Sequence, residues 1–299
     1  MSLQVFICGA TGHQGSNVAA HLQKSNIPMH AVSRNPDAQV PGVKFHQGSY
    51  ADVDVIKTAM KGCNALYMNL SPDFTDTGAE QRYADTLLQA AKEAGVQHVI
   101  YSSGLSVDNP HKLAYFDPDS ALAGVLLSKQ AIEAKVRTSG IKHWTIFRPG
   151  SYMQNFVKPL VNMYSGLVDQ GKWLTAMQGD TIVPLVDVYT VGLFAKTAFA
   201  EPDRFHQQDI GIADEKMEVN LILAKLSATT GRKLEANLIP EEEALAQAPA
   251  NPFVAGQLAV RNLATFVDLQ DVKSWELPLS SFDAFLTRES GRVQATYQL

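Results

Sequence analysis

The chain has 299 residues, 45% of them hydrophobic and 18% charged, with a formal net charge of -5. That length and apolar content support a packed core in one large or two modest domains and exclude disordered or collagen-like chains. The acidic balance leaves no electrostatic footprint for nucleic acid, and the longest apolar stretch, Ala121–Leu127, falls far short of the roughly 20 residues of a bilayer-spanning helix.

Leu3–Cys8 is a short apolar strand that runs into the turn Gly9–Gly15, after which Val18, Ala19 and Leu22 mark one face of a helix over Ser16–Lys24. Strands follow at Met29–Ser33 and Val43–Gln47, then a helix at Ala51–Lys61 and a strand at Ala65–Leu70. A helix at Gly78–Ala94 leads to strand Val96–Tyr101 and the polar turn Ser102–Gly104. After the longer loop Leu105–Asp119, helix Ala121–Ser139 carries Lys129 and stops at Gly140, and strand His143–Phe147 leads to Arg148–Gly150. Strands alternating with helices of about 10 to 15 residues specify an α/β fold, a Rossmann-type doubly wound parallel sheet over residues 1–150.

Beyond that point the alternation loosens. Phe156–Gln170 reads as a helix, Thr181–Val186 as a strand, Thr190–Phe199 as a helix, Gln208–Ile212 as a strand and Asn220–Thr229 as a helix. Glu241–Asn251, acidic and then rich in Ala and Pro, reads as an exposed helix ending in a loop. Residues 151–299 are expected to form a smaller α+β lobe for substrate or partner, with segments over about 181–212 returning to the Rossmann sheet.

Cys8 and Cys63 lie in apolar runs and are expected as buried core thiols rather than a disulfide. The 8 histidines have no HExxH-type spacing, so no metal site is expected. The opening residues place no Lys or Arg ahead of an apolar run, so a cytosolic or nuclear location is expected rather than secretion.

The glycine turn carries the strongest chemical signal. A GxxGxxG string between an apolar strand and an amphipathic helix is the context of a dinucleotide fingerprint. Gly9 permits the tight turn, Gly12 lets the backbone approach a pyrophosphate, and Gly15 lets the helix pack close to the strand. The helix N-terminus offers free N–H groups and a positive dipole end, and Thr11, His13 and Gln14 are placed to add side-chain hydrogen bonds. At the end of the second strand, where an NAD site carries an acid, the sequence has Ser33, Arg34 and Asn35. Arg34 is the candidate for an NADP 2′-phosphate, with Ser33 and Asn35 as supporting donors.

Several strings together, GATGHQG, AVSRNP, YSSG and SKQAIEAKVRTSGIKHWTIFRPGSYMQNF (Ser128–Phe156), resemble the NmrA-like branch of the atypical short-chain dehydrogenase/reductases, related to isoflavone-reductase-like enzymes. The resemblance runs across Leu3–Phe156 and more faintly through Ile182–Gly192. It implies NADP(H) as cofactor and a small-molecule substrate held in a cleft between the lobes, with no direct nucleic acid and no membrane. Ordinary short-chain dehydrogenases place a Tyr four residues before the active-site Lys; that position is Val125 here, so the Tyr-xxx-Lys pair is absent. Relatives lacking the Tyr rely on the Lys, which makes Lys129 a candidate general acid/base or nicotinamide-ribose ligand.

Ser102 and Ser103, at the end of the fifth strand, bind cofactor and substrate oxygen or else cap the turn. Pro149 and Gly150 match the family segment that passes the nicotinamide. Tyr152 is a replacement phenol or a packed aromatic, and Tyr115 is a second such residue. At the adenine end, Asn69 to Ser71 after the fourth strand and Ser49 to Asp52 after the third match family contacts to base and ribose, chiefly through main chain. The expected activity is hydride transfer from NADPH to a small apolar or aromatic enone, quinone, imine or carbonyl compound. Two alternatives stand beside it: a non-catalytic redox sensor acting on a protein partner such as a transcription factor, and an NADP-retaining cyclase or isomerase.

Overall fold

A computed structural model describes residues 2–73 and 75–298. The first elements are β1 (Val5–Ile7), α1 (His13–Gln23), β2 (Met29–Ser33), β3 (Val43–Gln47), α2 (Val53–Met60), β4 (Ala65–Asn69), α3 (Ala79–Ala94), β5 (His98–Ser102), α4 (Ala121–Arg137) and β6 (His143–Pro149). There follow β7 (Ser151–Tyr152), β8 (Lys172–Thr175), β9 (Ile182–Val186), α5 (Val188–Ala200), α6 (Pro202–Phe205), β10 (Gln208–Ile212), β11 (Glu215–Glu218), α7 (Val219–Thr230), β12 (Glu235–Leu238), α8 (Glu241–Gln247), α9 (Pro252–Val260), α10 (Leu269–Lys273), α11 (Phe282–Arg288) and α12 (Ser290–Tyr297).

The chain divides into two compact units. The first comprises residues 1–107, 127–148 and 188–210, and the second 108–126, 149–187 and 211–299. The main sheet has the order β10-β6-β5-β4-β1-β2-β3. Its pairs from β3 through β6 are parallel. The Rossmann-type α/β fold expected from the sequence is therefore the fold of this chain. Strands β1, β4 and β5 are buried along their whole length, except for a half-buried Asn69, because helices cover the sheet. The core of this unit gathers Phe6, Leu66, Met68, Leu87, Tyr101, Ile132 and Ile146. Cys8 and Cys63 are free and buried within it. Burial pushes the Cys8 thiol up to about 12 and the Cys63 thiol to about 11.

In the second unit, β9 lies between β11 and β7, and β8 pairs with β12. Its core is aromatic, with Phe156, Trp173, Phe282, Phe285 and Tyr297 packed together. Asp187 and Asp214 are buried ties. Asp187 accepts from Gln154 at 2.9 Å, Ser280 at 3.0 Å and Arg288 at 2.5 Å, while Asp214 accepts the backbone N–H groups of Asp187 and Ser280 at 2.7 Å each. No helix among the described residues is long and apolar enough to cross a membrane.

The helix expected over Phe156–Gln170 is absent. A 3-10 turn over Met153–Phe156 leads into that segment, which itself holds one more, Leu160–Met163. Pro159 has no N–H for a helical ladder, and Gly166 turns the chain at φ +79°, where a Cβ would meet Lys172 O at 2.3 Å. Phe156, Val157, Val161 and Leu167 are buried all the same, so the apolar spacing reflects core packing of an irregular segment. β9, read as a candidate for return to the main sheet, pairs within the second unit instead, and β10 is the strand that flanks β6.

Candidate functional site

Open α/β sheets bind ligands beyond the carboxyl ends of their strands, where the strand order reverses. Here the reversal lies between β1 and β4. The chain leaves β1 and turns at Gly9 with φ +65°, a left-handed conformation that favours glycine. Gly12 N–H donates to Gly9 O at 2.9 Å. Gly15 packs so closely that a Cβ there would fall 2.3 Å from Gly9 O and 2.6 Å from the Gly9 carbonyl carbon. Gly12 caps α1 without a side-chain acceptor, and no acid lies in the first turn. The helix therefore presents N–H groups and its positive end to whatever lies beyond the turn. Thr11 and Gly12 are exposed, and His13 and Gln14 half-buried.

Hydrogen bonds hold this turn from below. Gly9 N–H donates to the Tyr50 hydroxyl at 2.7 Å. Burial, reinforced by the Cys8 thiol alongside, raises the Tyr50 phenol well above its ordinary range, so it stays protonated. Gln14 Oε1 accepts from the Tyr67 hydroxyl at 2.8 Å and from Ser102 Oγ at 2.7 Å, which joins α1 to β4 and β5. The Gln14 oxygen and the Ser102 proton are thus engaged in holding the turn. Asn69 ends β4 opposite Gly9, with its Nδ2 at 3.5 Å from where a Gly9 Cβ would stand. Ser71 is exposed just beyond.

At the end of β2, Ser33 Oγ accepts the Asn35 N–H at 3.1 Å, and Asn35 Oδ1 accepts the Asp37 N–H at 3.0 Å. Both side chains stiffen the turn that displays Arg34. The Arg34 side chain is exposed, and among the described residues it makes no hydrogen bond or ion pair. Its charge reaches Tyr50 and Asp73. A glycine cradle that side chains cannot fill, an uncapped helix end and an unpaired guanidinium fit a dinucleotide diphosphate with a further phosphate.

Lys129 projects from α4 to a buried partner. Its Nζ donates to Glu80 Oε1 at 2.6 Å and to Leu70 O at 3.3 Å, and Ser128 Oγ lies 3.5 Å from the other Glu80 oxygen. The two side chains are 13% and 3% exposed, so the pair is largely out of water. Two of the three ammonium donors are used, leaving one. Ser103 Oγ is buried without a well-formed hydrogen bond and lies near Glu133. Burial alone would raise the Glu133 carboxyl, but the bidentate bonds and charge of Arg148, with help from Ser103 and Arg137, bring it below its usual range.

Pro149, Gly150 and Tyr152 fall in the second unit. Gly150 N–H is committed to Ile212 O at 2.9 Å, so this segment offers carbonyls rather than N–H groups. Tyr152 is half-buried and paired in register with Val186. Tyr115 is bound elsewhere in that unit, donating to Glu241 at 3.0 Å and accepting from Arg261 at 3.2 Å. The second unit also carries a partly open cavity of about 220 Å³ lined by Phe156, Tyr164, Trp173, Met177, Phe253 and Gln257 among others.

Sequence reading missed Glu80 and Tyr67, and it missed the cavity. Glu80 had a signal: it stands on the stripe of Ala84, Leu87 and Ala91 that α3 buries, and an acid on an apolar stripe needs a partner. Tyr67 had none, since its partner is distant in the chain. Tyr50 lies in the Ser49–Asp52 segment expected to contact base and ribose through main chain, and the bond from Gly9 N–H to its hydroxyl was not foreseen.

The family profile described as "NmrA-like family" matches residues 1–273. Among curated proteins, an NAD(P)H azoreductase from Xenophilus azovorans is 26% identical over 248 residues, 80% of this chain and 78% of that protein. Among solved structures, the Citrobacter sp. triphenylmethane reductase in complex with NADP(H) superposes with a TM-score of 0.72 at 21% identity, covering 96% of this chain and 99% of that one. NmrA, a negative transcriptional regulator, gives a TM-score of 0.66 at 18% identity over 100% of this chain and 93% of that one.

Proposed function

The chain belongs to the NmrA-like family, and from that premise we propose that it is an NADPH-dependent reductase of small apolar or aromatic enones, quinones, imines or carbonyl compounds. The observation that carries the reading is the turn after β1, where Gly15 admits no side chain and the first turn of α1 is left without cap or acid. The azoreductase relative, named for NAD(P)H, supports it.

In this reading the N–H groups at the start of α1 bind the pyrophosphate, and Gly9, Gly12 and Gly15 make room for it. Thr11 and His13 contribute at the rim, while Gln14 and Ser102 lock the turn to the sheet. Arg34 takes the 2′-phosphate from the turn that Ser33 and Asn35 stiffen. Asn69 and Ser71 border the base. NADPH, when bound, supplies the hydride.

Lys129 acts as a fixed charge: Glu80 and Leu70 O hold two of its donors, and the third orients a ribose hydroxyl. Ser103 Oγ offers its proton to the substrate oxygen, and in the second unit Tyr152 offers a further hydroxyl. With Val125 in place of the usual Tyr, rate enhancement rests on orientation more than on acid catalysis. Steady-state NADPH oxidation across a panel of quinones, enones, imines and azo compounds tests the reading. Turnover with at least one class is expected. Tight NADPH binding without turnover of any compound would overturn it and favour a redox sensor.

A further inference from the structure

The cavity of the second unit has a composition that specifies its ligand. One wall is aromatic: Tyr164 and Trp173 pack with ring centroids 4.5 Å apart and planes at 31°, and Phe156 meets Trp173 edge-on at 6.1 Å. The other wall is α9, which brings Phe253 and Gln257. No charged side chain lines the space. At about 220 Å³ it is smaller than the pockets of about 300–1,000 Å³ that hold drug-sized molecules, a size that suits one or two rings.

Ser151, Asn155 and the Tyr164 hydroxyl on these walls can donate and accept alike, whereas the Gln257 amide is restricted. Gln257 Oε1 is committed, accepting Ala176 N–H at 2.8 Å and Thr175 Oγ1–H at 3.3 Å. These two bonds fix which way the amide faces and leave its Nε2 as the group it has to give. Trp173 is 1% exposed and its Nε1 is buried out of reach of the space, so the ring offers packing rather than a hydrogen bond. Burial pushes the Tyr164 phenol up to about 12, so it also stays protonated. Next to Gln257, Arg261 clamps Ala176 O through Nε at 2.8 Å and Nη2 at 2.6 Å, so the end of α9 is held firmly against β8.

We infer that this cavity binds an uncharged one- or two-ring carbonyl compound, the rings lying against Trp173 and Tyr164 and the carbonyl oxygen accepting from Gln257 Nε2. Gln257 is thereby the residue that separates ring ketones and quinones from hydrocarbons of the same shape. The assignment of this ligand as substrate rests on the reductase reading above; its binding does not require NADPH.

The test is calorimetric titration of the full chain, without nucleotide, with α-tetralone, with tetralin, which lacks only the carbonyl, and with naphthoate, which carries a charge. The ketone is expected to bind at least about tenfold more tightly than tetralin, as one well-placed hydrogen bond to a desolvated donor allows, and naphthoate most weakly. Gln257→Glu keeps the Oε1 acceptor and removes the donor. It is expected to cost the ketone about tenfold and tetralin less than about threefold. Trp173→Phe, which keeps a ring against Tyr164, should weaken ketone and tetralin alike.

Equal binding of ketone and tetralin, equal losses for both in Gln257→Glu, or no binding of either would overturn the assignment. Ketone binding with the expected variant pattern but no NADPH oxidation in the kinetic panel would uphold the cavity and overturn the reductase reading alone.

Discussion

Replacing Glu80 by Leu strips the Lys129 ammonium of its only anionic partner among the described residues. The pair is 2.6 Å long and its side chains are 13% and 3% exposed, so little solvent is at hand to replace the lost partner. Breaking a buried ion pair from one side costs about 3–5 kcal/mol, and replacing both members by apolar residues is close to neutral. Glu80→Leu and Lys129→Met should therefore each destabilise the first unit by about 3–5 kcal/mol. The double variant should return to within about 2 kcal/mol of the parent, giving a coupling of several kcal/mol. Urea unfolding combined with hydrogen exchange at the amides of residues 127–137 of α4 reads the first unit locally, which matters in a chain of two units. The double variant should also lose NADPH oxidation while its fold is restored, because Lys129 is then gone. Single losses that simply add, within about 0.5 kcal/mol, would refute a coupled buried pair.

Three further outcomes follow from the same coordinates. Gly15→Ala should destabilise by about 1–3 kcal/mol and weaken NADPH at least about tenfold, since its Cβ would stand 2.3 Å from Gly9 O; melting curves and nucleotide titration check this. Burial, with smaller contributions from neighbouring charges, holds His98 down to about 3 and His21 to about 4, whereas each binds a proton near 6.5 once unfolded. Their stabilising effect is thus full above about pH 6.5 and lost as pH falls toward 4, by about 1.4 kcal/mol per pH unit for each, and urea midpoints between pH 5 and 8 should decline only on the acid side. Cys8 and Cys63, buried and held at about 12 and about 11, should resist a thiol reagent at pH 8 until urea unfolds the chain, after which both react.

The main sheet was legible because each strand and helix carries its own local signal: an apolar run, a capping Asp52 before α2, a glycine turn after β1. The turn was legible for the same reason, since Gly9, Gly12 and Gly15 act through their immediate neighbours. What holds it in place was not. Gln14, Tyr67 and Ser102 lie far apart in the chain and meet only when β4 and β5 pair in register, Asn69 against Ser102. The second unit was harder still. Its strands are short, and the segment around Pro159 buries apolar residues at helical spacing without forming a helix. The aromatic cavity is assembled from residues on either side of β8 and from α9, with no local pattern to announce it.

The most direct measurement is titration of the chain with NADPH and with NADH, before and after Arg34→Glu. NADPH should bind the parent at least about tenfold more tightly than NADH, the range expected for charge-assisted hydrogen bonds to one phosphate, and the substitution should erase that preference while leaving NADH affinity nearly unchanged. Failure of the parent to bind either nucleotide, or a preference for NADH that Arg34→Glu does not alter, would contradict the assignment of an NADP(H) site to the turn after β1.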